Sequence, residues 1–219
     1  MFTFMKDSFW RVCDAMLDFI FPLSERASRV REYKLDTVVA SPQIHETLGI
    51  HIITLTRYRE CAIEDSIRAL KYEKSAHAAR LLGGLLADYL LDTLSELSLF
   101  SKRAIVLVPM PLHHTRERNR GYNQIDLVLK ELPLQESGIL VRPELLKRIR
   151  DTPPQTRLSR RERLENIAQA FATLPDTSYR DLHIFLIDDV TTTGATLKEA
   201  ARTLEKAGAK VTPLALARA

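Results

Sequence analysis

At 219 residues the chain is long enough for one well-packed domain with something small added. A formal net charge of +4, with 27% charged residues, favours anionic ligands only mildly and excludes a strongly polyelectrolyte chain. Its two cysteines, Cys13 and Cys61, exclude a disulfide framework and a four-cysteine zinc site, and they fit a reducing, cytoplasmic setting.

The opening stretch places Phe9, Val12, Cys13, Met16, Leu17 and Ile20 at helical spacing. Asp7, Arg11, Asp14 and Asp18 interrupt it, so it lacks the continuous apolar centre of a signal peptide. The expectation is an amphipathic helix that ends near Phe21, before Pro22, and packs on the domain or on a partner. No segment has the length of a membrane-spanning helix. Between Leu23 and Tyr58 the pattern is weak. "TVVA" and "HIITLTRY" read as short strands with "SPQ" as the turn between them.

Helical period returns at Ala62, where Ile63, Ile67 and Leu70 line one face up to "LKYEK". A second helix runs from about Ser75 through "LLGGLLADYLLDTL". Its Gly83 and Gly84 lower helix propensity, which points to close packing there. "AIVLVPMPL" is a continuous apolar run, as expected of a strand buried on both faces. "NQIDLVLKEL" reads as a helix, and "SGILVRPELL" as a strand and a turn. "RIRDTPPQTRLSRRERLENI" is a basic loop running into a helix. "HIFLIDDV" is a second buried strand. "TLKEAARTLEKAG" is a helix with Leu197, Ala200, Ala201, Leu204 and Ala207 on one face, terminated by Gly208. "KVTPLALARA" is a last strand, placed near a sheet edge because of Pro213. Strands alternating with helices imply an α/β domain with a mostly parallel sheet flanked by helices. The expected division is a small α+β extension over residues 1–57 and the main domain over 58–219.

The run "IFLIDDVTTTGATL" carries the chemistry. In open α/β sheets ligands sit beyond the carboxyl ends of strands, where Asp188 and Asp189 are expected. The segment from Val190 to Thr196 then opens a helix, whose first amides point outward unpaired. Gly194 lets the backbone close around a ligand, and Thr192, Thr193 and Thr196 add hydroxyl donors. Together these form a phosphate cradle. Carboxylates do not hold phosphate, but they accept hydrogen bonds from a vicinal diol and orient magnesium, directly or through water. The combination matches a ribose 5-phosphate. The bland alternative is a cluster of helix caps beside solvated carboxylates.

This string resembles the signature of type I phosphoribosyltransferases. "LVPMPLHHTRERNRGYNQ", "RIRDTPPQTRLSRRERLENIAQAF", "IRALKY", "LDFIFP" and the closing "ALAR" resemble the ComF/GntX branch of that family. The resemblance implies that Asp188 and Asp189 hold the ribose hydroxyls and that Thr191, Thr192, Thr193, Gly194, Ala195 and Thr196 hold the 5-phosphate. It implies a pyrophosphate contact from Pro111, Leu112 and His113, with Arg116, Arg118 and Arg120 close enough to neutralise charge. The basic loop from Arg148 to Arg163 stands where type I enzymes carry a lid over the pyrophosphate, with Gln155 and Arg160 as the preferred contacts.

By the same resemblance the ligand is phosphoribosyl pyrophosphate with magnesium, and the activity is pentosyl transfer linked to competence, DNA uptake or nucleotide salvage. Homodimers are frequent among such relatives. Two other readings compete. One is a non-catalytic module that binds phosphoribosyl pyrophosphate or a nucleotide beside competence proteins. The other is single-stranded DNA binding through the two arginine clusters; in the basic loop from Arg148 to Arg163 the lack of nearby aromatics favours backbone contact over stacking. His113 and His114 have no partner at metal-ligand spacing, since His45, His51, His77 and His183 are scattered. Members of the branch usually carry an N-terminal zinc module with paired cysteines after the first helix. Here "FPLSERASRVREY" has none, so no zinc is expected, and residues 23–57 are expected to fold as a small strand pair over the site.

Overall fold

A computed structural model describes residues 25–100, 102–134, 139–150 and 167–219. The expected helix around Phe9–Ile20, and the lid residues Gln155 and Arg160, lie outside the described residues. The described part begins with helix α1 (Glu25–Glu32) and a short 3-10 turn, Leu35–Thr37. The hairpin β1 (Gln43–Thr47) and β2 (Ile50–Arg57) leads into helices α2 (Cys61–Glu73) and α3 (Ala76–Phe100). Strand β3 (Ala104–Pro109) is followed by α4 (His114–Arg120), α5 (Gln124–Leu129) and the short strand β4 (Leu140–Val141). A second ribbon joins β5 (Leu146–Arg148) to β6 (Phe171–Thr173). Strand β7 (Leu182–Thr191), helix α6 (Ala195–Lys206) and strand β8 (Lys210–Arg218) complete the described part.

Six strands form one sheet in the order β1-β2-β8-β7-β3-β4, and every pairing except β1 with β2 is parallel. The mostly parallel α/β sheet read from the sequence is what the chain forms. Side chains alternate along a strand, so β7 feeds two cores. Phe185 and Ile187 join the layer of α2, α3 and α5, where Ile67, Leu82 and Ile125 are buried. Ile184 and Leu186 join the opposite layer with Leu197, Ala201 and Leu204 of α6. Burial on both sides is why β3 and β7 read as unbroken apolar runs. Gly83 faces the α5 end of the chain, where an added Cβ would lie 2.8 Å from Cβ of Glu131, whereas Gly84 meets nothing within 4 Å.

Two expectations about strands need correction. Strand β8 is not near an edge, because it lies between β2 and β7. Its ladder with β2 begins at Leu214, one residue after Pro213. On that side, Pro213 sits where no partner strand yet asks for its missing donor. The first strand is Gln43–Thr47 rather than "TVVA", and its turn is Leu48–Gly49 rather than "SPQ". Both turn residues have positive φ, 55° and 75°, as the tight turn of a two-residue hairpin requires. Val38 is buried in the helix-side core and Val39 is 71% exposed, so that segment is anchored by one side chain without forming a strand.

Candidate functional site

Asp188 and Asp189 lie near the carboxyl end of β7, and strand alternation turns them to opposite faces of the sheet. The strand continues to Thr191, one residue beyond the run read as a strand. Val190 pairs with Ala217 and Thr191 with Arg218, and the Thr191 carbonyl accepts the Ala219 N–H at 3.0 Å. The turn read from the sequence as a phosphate cradle is therefore Thr192–Gly194, with Thr191 held in the ladder. Gly194 is the N-cap of α6, at φ 75° and ψ 3°, and as a glycine it has no side chain with which to cap that helix. Thr196 in the first turn of α6 lines the cleft, so the positive end of that helix dipole lies beside it.

The hairpin β1–β2 braces this turn. Thr47 Oγ1 donates to the Thr193 carbonyl at 3.1 Å, and Lys198 Nζ donates to the Leu48 carbonyl. A Cβ on Gly194 would lie 2.5 Å from Ile52 Cδ1 and 2.8 Å from Thr47 Cγ2. The N-terminal strands thus support the back of the phosphate turn from an outer position in the sheet.

Asp189 is buried, at 5% exposure, and two side chains from other helices compensate it. Gln124 Nε2 donates to its Oδ2 at 2.7 Å, and Lys71 Nζ lies 2.9 Å from the same oxygen. Arg120 in turn donates to Gln124 Oε1. Asp188 is held differently. Its Oδ1 accepts the Asp189 N–H at 2.9 Å. Burial first, and then repulsion from Asp189, push its carboxyl up to about 7.

The loop after β3 returns beside these carboxylates. The Met110 N–H donates to the Ile187 carbonyl at 2.7 Å, and Asn123 Nδ2 donates to the Met110 carbonyl at 3.0 Å. Helix α4 then sorts the arginines by face. Arg116 and Arg120, one turn apart, line the same cleft as the aspartates, whereas Arg118 is exposed. His113 is buried and caps α4, its Nδ1 accepting the Thr115 N–H at 3.4 Å, and it bridges to Arg148 through the backbone. It is thus part of the loop's own scaffold. His114 faces a neighbouring hollow.

The cleft of about 230 Å³ collects Pro111, Leu112, Arg116, Arg120, Asp188, Asp189 and Thr196 from the sequence-read set. Thr192, Thr193 and Ala195 lie in the adjoining turn and helix start. Lys71 and Gln124 were not among the residues read from the sequence. Both stand inside quoted motifs, "IRALKY" and "RGYNQ", and no local pattern assigned them to Asp189. Arg148, at the root of the basic loop, also lines the cleft. Four cations, Lys71, Arg116, Arg120 and Arg148, thus surround two carboxylates, an arrangement suited to a polyanion that also offers hydroxyls.

A mostly parallel sheet flanked by helices, with a glycine-capped helix start and paired aspartates at one strand tip, is a phosphoribosyltransferase-like α/β fold. Residues 135–217 match the phosphoribosyl transferase domain family. Over 106 residues the chain is 38% identical to Competence protein F of Haemophilus influenzae, covering 47% of this chain and 44% of that protein. It is 33% identical over 143 residues to DNA utilization protein YhgH of Salmonella typhimurium, covering 65% of this chain and 61% of that protein. With Competence protein ComFC of Bacillus subtilis the identity is 36% over 115 residues, 51% of this chain and 44% of that protein. The match thus spans between 44% and 61% of the length of these relatives. Over its C-terminal part the chain is thus similar to the phosphoribosyl transferase domain family, and the relatives it matches are competence and DNA-utilization proteins. Among the described residues, no helix is long and apolar enough to cross a membrane.

Proposed function

We propose that the cleft binds phosphoribosyl pyrophosphate with magnesium and that the protein releases pyrophosphate from ribose C1, in service of DNA uptake or of the reuse of nucleotides. The observation that carries this reading is the joint placement of the glycine-capped α6 start and two aspartates in one cleft at the tip of one strand. The amides of Ala195 and Thr196, with the hydroxyls of the threonine turn, hold the 5-phosphate. Asp188 and Asp189 accept hydrogen bonds from the ribose hydroxyls. Arg116, Arg120 and Lys71 meet the diphosphate. The C1–oxygen bond breaks, its electron pair leaves with pyrophosphate, and a bond forms from C1 to an incoming nucleophile. The protein's contribution is orientation and charge compensation for the leaving group.

Magnesium suits these residues. It takes oxygen ligands, often one or two carboxylates with substrate oxygens and water completing the shell. The repulsion that raises Asp188 is what a divalent cation would relieve. When bound, the ion neutralises charge on the diphosphate.

Calorimetry with phosphoribosyl pyrophosphate and magnesium tests this. Asp188→Asn with Asp189→Asn should abolish binding while the thermal unfolding transition stays cooperative. Unchanged affinity in that variant would remove both carboxylates from the site. Pyrophosphate release with a panel of nucleobases and amines separates transfer from sensing. Binding without release would leave a ligand-binding module of the DNA-uptake apparatus.

A further inference from the structure

How well the turn Thr192–Gly194 holds an anion depends on which way its peptide units face. A planar trans peptide sets its C=O and N–H in opposite directions, so a unit offers its amide to a ligand only when its carbonyl faces away. The unit that joins Thr193 to Gly194 is trans, and its own residues do little to fix its direction. Gly194 has no Cβ, and glycine populates positive and negative φ about equally, so the peptide before it reverses at little cost. Its φ of 75° is one of two accessible outcomes.

The N-terminal hairpin selects between them. Thr47 Oγ1 donates to the Thr193 carbonyl at 3.1 Å, from 146 residues away in the chain. That carbonyl therefore faces β1, and the Gly194 N–H faces the opposite way. The two directions differ in the sheet. Strands β1 and β2 stand beyond β8 on one side of β7, whereas Met110, Pro111 and Leu112 wall the cleft from the loop after β3, on the other side. The Gly194 N–H is thus directed to the side that holds the cleft, beside Thr196. Reversed, the same unit would turn a carbonyl oxygen toward an anion. The donor is itself held in place. Thr47 pairs with Ile50 across the hairpin loop, and Leu48 in that loop has φ 55°, in the left-handed region that favours glycine. Lys198 Nζ donates to the Leu48 carbonyl and so ties the loop to α6.

We infer that Thr47 is a positioning residue for the 5-phosphate: its hydroxyl holds the Thr193 carbonyl away from the cleft and so aims the Gly194 N–H into it. The inference rests on the reading of the cleft as a phosphosugar site, and it gives the N-terminal hairpin a part in that site. The diphosphate belongs to Lys71, Arg116 and Arg120 on α2 and α4, so only the 5-phosphate end of the ligand depends on Thr47.

Calorimetry of the full chain with two separate probes, ribose 5-phosphate and pyrophosphate with magnesium, provides the test. Thr47→Val keeps the side-chain volume and removes the hydroxyl. It should weaken ribose 5-phosphate about tenfold, as expected when a hydrogen bond to a charged group is lost, and leave pyrophosphate within about twofold. Thr47→Ser, which keeps the hydroxyl, should restore the wild-type affinity. In amide-resolved NMR spectra the Gly194 amide proton of the wild type should move downfield as ribose 5-phosphate binds, and it should stay in place in Thr47→Val. A Gly194 amide that does not move in the saturated wild type would overturn the inference whatever the variants do. So would unchanged ribose 5-phosphate affinity in Thr47→Val, or failure of Thr47→Ser to restore it. An equal loss of pyrophosphate binding would also overturn it, since that marks a merely structural role. All these outcomes leave the phosphosugar reading standing when the wild type binds ribose 5-phosphate. A wild type that does not bind ribose 5-phosphate would overturn the inference, and one that also fails to bind phosphoribosyl pyrophosphate would overturn the proposed function with it.

Discussion

Replacing Gly194 by alanine tests how the phosphate turn is built. At φ 75° an alanine occupies the left-handed region, which costs about 1–2 kcal/mol for a residue with a Cβ. The new methyl would lie 2.5 Å from Ile52 Cδ1 and 2.8 Å from Thr47 Cγ2. Ile52 is 1% exposed, so its side chain has little room to retreat. Overpacking of this kind costs about 1–3 kcal/mol. The expected loss is therefore roughly 2–5 kcal/mol, measured by urea unfolding. The two contributions separate in the Ile52→Val/Thr47→Ser background, which removes both methyls and keeps the hydroxyl bonded to the Thr193 carbonyl. There Gly194→Ala should cost only the backbone share, about 1–2 kcal/mol. Affinity for phosphoribosyl pyrophosphate should fall in Gly194→Ala and recover in part in the triple variant. An equal cost in both backgrounds would refute the packing argument. A cost below about 0.5 kcal/mol in the wild-type background, the size of an ordinary surface change, would refute the whole account of the turn.

Helix α4 offers an internal control, since its arginines differ in face and not in chemistry. Arg116→Gln should weaken phosphoribosyl pyrophosphate binding about tenfold, as expected when a charge-assisted hydrogen bond is lost, whereas Arg118→Gln should leave it within about twofold. Equal effects would mean that the helix contributes only a diffuse field. His183 carries the pH prediction. It is buried, and its Nε2 lies 2.8 Å from Thr212 Oγ1. Burial first, then Lys210 and Arg103, push it down to about 4. Between pH 4 and its ordinary value near 6.5 the unfolded chain binds the proton and the folded chain does not. Stability should thus be complete above pH 6.5 and fall as the pH drops toward 4, by up to about 1.4 kcal/mol per unit. His183→Gln should flatten the slope of the urea midpoint between pH 7 and pH 5. Parallel slopes in the two proteins would show that His183 is not its source.

Much of the site was legible because its parts are contiguous in the chain. An apolar strand, two carboxylates, hydroxyl residues, a glycine and a helix start follow one another, and each acts through its neighbours. Helix α6 was equally legible, since Leu197, Ala200, Ala201 and Leu204 repeat on one face and are all buried. The compensation of Asp189 was not legible. Lys71 and Gln124 reach it from helices α2 and α5, and only the docking of those helices on the sheet sets the distances of 2.9 and 2.7 Å. The first strand escaped for a related reason. Gln43–Thr47 is polar and largely exposed, so no alternation marks it, and its place depends on pairing with β2.

By itself, then, the amino-acid order determined the class of sheet and the strand–turn–helix run that carries the candidate site, because burial on two faces and helix capping are written within a few consecutive residues. Only the tertiary structure decided that β8 lies inside the sheet and that the β1–β2 hairpin braces the turn. It alone brought Lys71 and Gln124 to Asp189. Those outcomes depend on which distant segments pair, and pairing is selected by the total burial and hydrogen bonding of the folded chain rather than by any local preference.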